Sequence, residues 1–187
     1  MDRYLSNFIA SDLNTKIVLL SGPRQSGKTT LSKGLPFSSF YINYDLKEHR
    51  KILLDKSWDR KRELIVFDEI HKMKNWKSYV KGIYDTEGVR PRLLVTGSAR
   101  MDTYRKAGDS LAGRHFAYRL HPFDIKEICS NDPSKNEESV LEKLLTVGGF
   151  PEPFLNGKKE FYNRWKKSHT DIILRQDLID LEKVRDI

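Results

Sequence analysis

The chain has 187 residues, 38% of them hydrophobic and 32% charged, enough to bury one respectable core with a small appendage, so one main domain is expected. Its 34 basic and 26 acidic side chains leave a net charge of +8, a balance that favours nucleotide phosphates, nucleic acid or acidic lipid without selecting among them. A single cysteine, Cys129, excludes an internal disulfide framework and multi-cysteine zinc sites and points to a reducing, cytoplasmic setting.

Residues 1–15 carry charges and Asn where a secretory signal would be apolar, and no run approaches the roughly 18 apolar residues of a membrane span. Five short apolar runs follow: 16–21 (KIVLLS), 40–46 (FYINYDL), 63–67 (ELIVF), 92–96 (RLLVT) and 116–120 (FAYRL). They are continuous rather than alternating, as strands covered on both faces of a parallel sheet are, so the fold class is α/β. Between them, Trp76, Tyr79, Val80, Ile83 and Tyr84 keep the spacing of one helix face, with Lys74, Lys77 and Lys81 on a solvated side. Beyond Pro122 the pattern is helical over 124–129, 137–147 and 158 onward, broken by SNDPSKN at 130–136 and GGFPEPF at 148–154. The expected organisation is a core at 1–122, a helical lid-like segment at 123–157 and a helical linker at 158–187. The last segment has apolar positions wanting cover and no stop signal, which predicts a piece of a longer protein.

Residues 22–29 spell GPRQSGKT, the G-x-x-x-x-G-K-[ST] loop, between the first apolar run and a short helical stretch ended by Gly34 and Pro36. The candidate nucleotide-binding residues are Gly22, Pro23, Arg24, Gln25, Ser26 and Gly27, whose glycines let the loop's backbone N–H groups, all but that of Pro23, turn inward around phosphate oxygens, with Thr30 in the following turn. That helix presents its positive end to the same anion. Lys28 adds a full charge for the β- and γ-phosphates, and the Thr29 hydroxyl is a magnesium ligand.

The third run ends in Asp68 and Glu69, where a parallel strand emerges at the carboxyl edge of its sheet. Asp68 is then the acid that organises Mg2+ with Thr29, and Glu69 the group that polarises a water for attack on the γ-phosphate. The fourth run leads into Gly97 and Ser98, so Thr96 or Ser98 is a candidate to hold that water or the phosphate. Arg114, before the fifth run, is a candidate arginine finger.

In this order, GPRQSGKTTL (22–31), LIVFDEIHK (64–72), Trp76, LLVTGSAR (93–100), SLAGR (110–114), LHPFDIKEI (120–128) and GGFPEP (148–153) resemble the prokaryotic ATP-binding proteins of the AAA-like family, whose ATPase domain is usually followed by a C-terminal domain of unknown function. The resemblance implies a P-loop NTPase sheet in the order 5-1-4-3-2, with the sensor strand between the two motif strands. It also implies a first sensor around 96–98 and a proline near the adenine, carried here to Gly149 and Pro151. His71 stands where many relatives have Gln, and relatives are about twice as long.

These readings give an Mg2+-dependent ATPase that couples hydrolysis to a conformational change. The alternatives are a nucleotide-gated switch or nucleic-acid-associated module with negligible turnover, and a small-molecule kinase. An Asn-Lys-x-Asp base-reading motif is absent, which disfavours GTP. The expected partners are ATP, further copies of the chain, and a nucleic-acid or protein client engaged through a C-terminal domain, with no membrane.

Overall fold

The five apolar runs form β1 (Ile17–Ser21), β2 (Ser39–Asn43), β3 (Leu64–Asp68), β4 (Arg92–Thr96) and β5 (His115–Arg119) in a computed structural model that describes residues 2–98 and 110–185, with side chains of the last helix described as far as Ile173. Ala99 and Arg100 of the LLVTGSAR motif, and the side chains of Leu178, Ile179 and Leu181, lie outside what is described. Every pairing is parallel, and the order β2-β3-β4-β1-β5 is the expected 5-1-4-3-2 read from the opposite edge. β2 stops three residues short of the apolar run that predicts it. There the Asn43 side chain accepts the Asp45 N–H at 2.8 Å and its carbonyl accepts that of Leu46 at 3.2 Å, turning the chain out of the sheet.

β1, β3 and β4 are buried at every position, and alternate residues serve opposite faces. Ile17, Leu19, Ile65, Phe67, Leu93 and Val95 meet α3 (Lys47–Asp55) and α4 (Trp76–Glu87) through Leu53, Trp76, Val80 and Ile83. Val18, Leu20, Leu64, Val66 and Leu94 meet α1 (Leu5–Asp12) and α2 (Lys28–Lys33) through Leu5, Ile9 and Leu31. α1 went unread in the sequence: its buried Leu5 and Ile9 are one turn apart, and eight residues are too short to stand out from charged surroundings. Each fully buried aliphatic or aromatic side chain contributes about 1.5–3 kcal/mol, so both faces are strongly driven. Trp58, which packs edge-on against Phe67 at 5.9 Å, and Trp76 are core anchors.

The chain divides into two units, Met1–Pro122 and Phe123–Ile187. The second comprises α5 (Ile125–Asn131), α6 (Glu137–Val147), α7 (Pro151–Asn156) and α8 (Lys159–Arg185) around Phe123, Ile128, Val140, Val147 and Phe154. Asp124 and Asn136 cap α5 and α6 by accepting the N–H groups of Glu127 and Glu138. Among the described residues no helix is long and apolar enough to cross a membrane, and no three His, Cys, Asp or Glu side chains are grouped to hold a metal ion.

Candidate functional site

The 22–27 loop leaves the centre of the sheet, because β1 lies between β4 and β5. The Ser21 carbonyl accepts the Leu120 N–H at 2.8 Å and the Leu20 carbonyl accepts that of Gly97 at 3.2 Å, so both neighbours brace the exit of the strand. A Cβ at Gly22 would lie 2.4 Å from the Leu120 carbonyl oxygen, which reserves this position for glycine. Arg24 and Gln25 are exposed, Pro23 is half-buried, and Ser26 is fully buried with an Oγ that has no hydrogen-bond partner among the described residues. The buried Arg3 guanidinium donates to the Ser26 carbonyl at 2.8 Å and to the His121 carbonyl at 2.5 Å, tying the loop to the chain that leaves β5.

Lys28, the first residue of α2, folds its ammonium back onto the loop and donates to the carbonyls of Gly22 at 2.9 Å and Pro23 at 2.7 Å. Burial pushes its pKa down, the carboxylates of Glu69 and Asp68 pull it up, and Arg24 lowers it again. An ammonium held on the loop and drawn by two carboxylates fits an anionic ligand that brings its own cation. Thr29 and Thr30 follow on the exposed side of α2.

The sheet register aligns the acid row. Asn43, Asp68 and Thr96 occupy one level of β2, β3 and β4, while Tyr41 stands two residues earlier on the same face of β2. Thr96 Oγ1 donates to Asp68 Oδ1 at 2.5 Å, and the Tyr41 hydroxyl donates to Asp68 Oδ2. Burial, reinforced by the Asp68 carboxylate, raises the phenol pKa above its ordinary range, so Tyr41 stays a protonated donor. Asp68 thus has a second hydroxyl donor, Tyr41, that the sequence reading missed. The available signal was alternation: Tyr41 and Asn43 are the polar-tipped residues on one face of β2.

Glu69 adopts a left-handed backbone, φ 56°, and its N–H donates to the Thr96 carbonyl at 2.9 Å. Its buried Oε2 lies 3.6 Å from His71 Nε2 and 3.5 Å from Lys72 Nζ, and Lys72 in turn holds both Asp45 oxygens at 2.7 and 2.6 Å. Burial lowers the His71 pKa, opposed mainly by the Glu69 charge, so the imidazole is neutral near pH 7. His71 is therefore a neighbour of the candidate base, which its place in the motif did not reveal.

The remaining candidates separate. Thr96 is fully buried and spends its proton on Asp68, whereas Ser98, half-buried just past β4, occupies the same sheet edge as the loop. Arg114 precedes β5 and its carbonyl accepts the Ile17 N–H at 3.1 Å, which puts it at the amino edge, opposite the loop. Pro151 opens α7 in the second unit, where its fixed φ suits a first helical position. Gly149 has a local role there: its carbonyl accepts the Phe123 N–H at 2.7 Å, and a Cβ would lie 2.4 Å from the Phe123 carbonyl oxygen.

The AAA domain family matches residues 14–129, more than half of the chain and all of the site just described within the first unit except Arg3. The chain belongs to this family. An uncharacterized protein of Mycobacterium tuberculosis is 28% identical over 169 residues, which cover 88% of this chain and 36% of that protein. Another, from Methanocaldococcus jannaschii, is 25% identical over 196 residues, covering 92% of this chain and 44% of its own. The AAA chain described here thus spans less than half the length of these curated relatives. Among solved structures, AMPPCP-bound DnaA from Aquifex aeolicus superposes with a TM-score of 0.52 at 15% identity, covering 88% of this chain and 65% of that one. A RuvB variant from Thermotoga maritima gives 0.52 at 14% identity over 90% and 61%. At these identities the likeness is one of fold, the AAA-type P-loop architecture.

Proposed function

We propose that the AAA domain binds ATP with Mg2+ and hydrolyses it, and that in the longer protein this turnover drives a conformational change. One observation carries the reading: the loop with Lys28, the hydroxyl of Thr29 and the acids Asp68 and Glu69 meet at one edge of the sheet, with Lys28 sensing both carboxylates. The binding of AMPPCP by the DnaA neighbour supports the same ligand class. In this reading the loop N–H groups and Lys28 take the β- and γ-phosphates. Thr29 and Asp68 hold magnesium, which when bound supplies positive charge against the phosphate oxygens. Glu69 accepts the proton of the attacking water, Ser98 orients that water, and Arg114 reaches the site of a second copy. The net charge of +8 supports a polyanionic client, whose signature is retention that falls steeply with salt.

The second reading, a nucleotide-gated switch with little turnover, draws on the Lys72 ammonium 3.5 Å from Glu69 Oε2, which competes for the carboxylate needed as base. The deciding experiment compares the parent with Glu69→Gln and Lys28→Ala. ATP affinity that survives Glu69→Gln, with turnover reduced about 10²- to 10⁴-fold, supports hydrolysis. Equal turnover in Glu69→Gln and the parent ends the role of Glu69. Retention of phosphate affinity in Lys28→Ala ends the loop reading.

A further inference from the structure

Glu69 and Lys72 are neighbours by local geometry. The one-turn 3₁₀ helix Ile70–Lys72 directly follows Glu69, residues three apart eclipse in such a turn, and the Lys72 N–H donates to the Glu69 carbonyl at 3.1 Å. The backbone thus delivers an ammonium to the candidate base, yet it stops 3.5 Å from Glu69 Oε2, which has no hydrogen-bond partner among the described residues. Lys72 Nζ donates instead to Asp45, at 2.7 Å to Oδ1 and 2.6 Å to Oδ2. We propose that Asp45 is a positioning residue that holds the Lys72 ammonium off Glu69 and so keeps the Glu69 carboxylate open to the attacking water. This inference rests on the hydrolytic reading above and adds to it the group that decides between turnover and the low-turnover switch.

Asp45 lies outside every sequence motif, at the corner between β2 and α3. That corner is fixed from both sides. The Asn43 side chain accepts the Asp45 N–H at 2.8 Å and the Asn43 carbonyl accepts that of Leu46 at 3.2 Å, while the Tyr44 N–H donates to the Asp68 carbonyl at 3.0 Å. The carboxylate of Asp45 is therefore tied to the strand end that carries the acids, and it meets Lys72 across 27 residues of sequence. Two carboxylates compete for one ammonium. Asp45 takes it with both oxygens at the short distance of charged hydrogen bonds, and Glu69 is left beyond that range. With the charge of Asp45 removed, Glu69 is the nearer anion, and the flexible lysine stem lets the ammonium close on Oε2. An ammonium bonded there occupies a lone pair that must accept the proton of the water. His71, 3.6 Å from the same oxygen, is neutral near pH 7, so Lys72 is the ion that matters.

Asp45→Asn removes the charge and keeps the shape. The test is steady-state ATP hydrolysis by the parent, Asp45→Asn, Lys72→Met and the double variant, with kcat and KM read separately. In Asp45→Asn, kcat is expected to fall about threefold to fivefold at a KM within about twofold of the parent's, the scale of an ion pair at the edge of solvent. Lys72→Met alone is expected to turn over at least as fast as the parent, and in that background Asp45→Asn is expected to cost nothing further. Asp45→Glu, which keeps the charge, is expected to stay within about twofold of the parent. A parental kcat in Asp45→Asn overturns the proposal, as does a loss that persists beside Lys72→Met, which marks an Asp45 that only shapes its corner. A Glu69→Gln variant that hydrolyses ATP as fast as the parent overturns the reading of Glu69 as base, and this inference with it. A slow Glu69→Gln beside an unaffected Asp45→Asn overturns the inference alone.

Discussion

Arg114 and Asp85 pair at the amino edge of the sheet, Nε 2.8 Å from Oδ1 and a terminal guanidinium nitrogen 3.4 Å from Oδ2. Asp85 is near the end of α4, which runs back from the carboxyl edge, and the pair holds the Asp85 carboxyl below its usual pKa range through the Arg114 hydrogen bond. β1 spans the distance from this pair to the phosphate loop, on the order of 13 Å for five residues. A single copy therefore keeps its arginine away from its own loop. Arg114→Ala is expected to lower ATP turnover about 10³-fold at unchanged ATP affinity, and parental specific activity is expected to climb with protein concentration. A flat specific activity over a wide dilution series removes the finger role.

Gly22 tests the bracing of the loop. Alanine there drives a methyl to 2.4 Å from the Leu120 carbonyl oxygen, and that backbone is held by its own N–H bond to Ser21. Gly22→Ala should destabilise the protein by about 1–3 kcal/mol, read as a lower denaturant midpoint. A midpoint equal to the parent's shows that β5 can move aside.

Arg3 joins two backbone carbonyls that belong to separate segments, Ser26 in the loop and His121 after β5. Arg3→Ala leaves both acceptors without their charged donor, at an expected cost of about 2–3 kcal/mol. Amide exchange around Ser26 should accelerate more than exchange in β3. Uniform acceleration across the domain indicates loss of general stability rather than release of the loop. Lysine in place of Arg3 restores the charge but not the two-pronged donor, and only partial rescue is expected.

His71 gives the stability a pH slope of known sign. Burial keeps its folded pKa below the unfolded value of about 6.5, with Glu69 opposing, Lys72 adding to the depression, and Asp45 and Asp68 pulling weakly upward. The unfolded chain therefore binds the proton first. The contribution of the neutral imidazole is complete above about pH 6.5 and is lost as pH falls through the folded pKa. Unfolding midpoints at about pH 8 and about pH 5.5 should differ less in His71→Gln than in the parent, and identical differences refute the assignment.

The amino-acid order alone determined which segments become buried strands and the edge at which the GPRQSGKT loop leaves the sheet. Uninterrupted apolar runs such as LIVF at 64–67 can only be satisfied by cover on both faces, and the GPRQSGKT loop needs a strand before it and a helix after it. Asp68 and Glu69 were legible for the same reason, since the end of a buried strand fixes where its next side chains emerge. Tertiary structure alone decided what these residues touch. Tyr41 reaches Asp68 because β2 and β3 pair in the register Tyr41↔Val66 and Asn43↔Asp68, and Arg3 reaches Ser26 across 23 residues of sequence. Arg114 falls at the far edge because His115 pairs with Ile17 at the start of β1. Local periodicity records which face a side chain takes, whereas strand order and register choose its neighbours, and those are set by the packing of both cores at once.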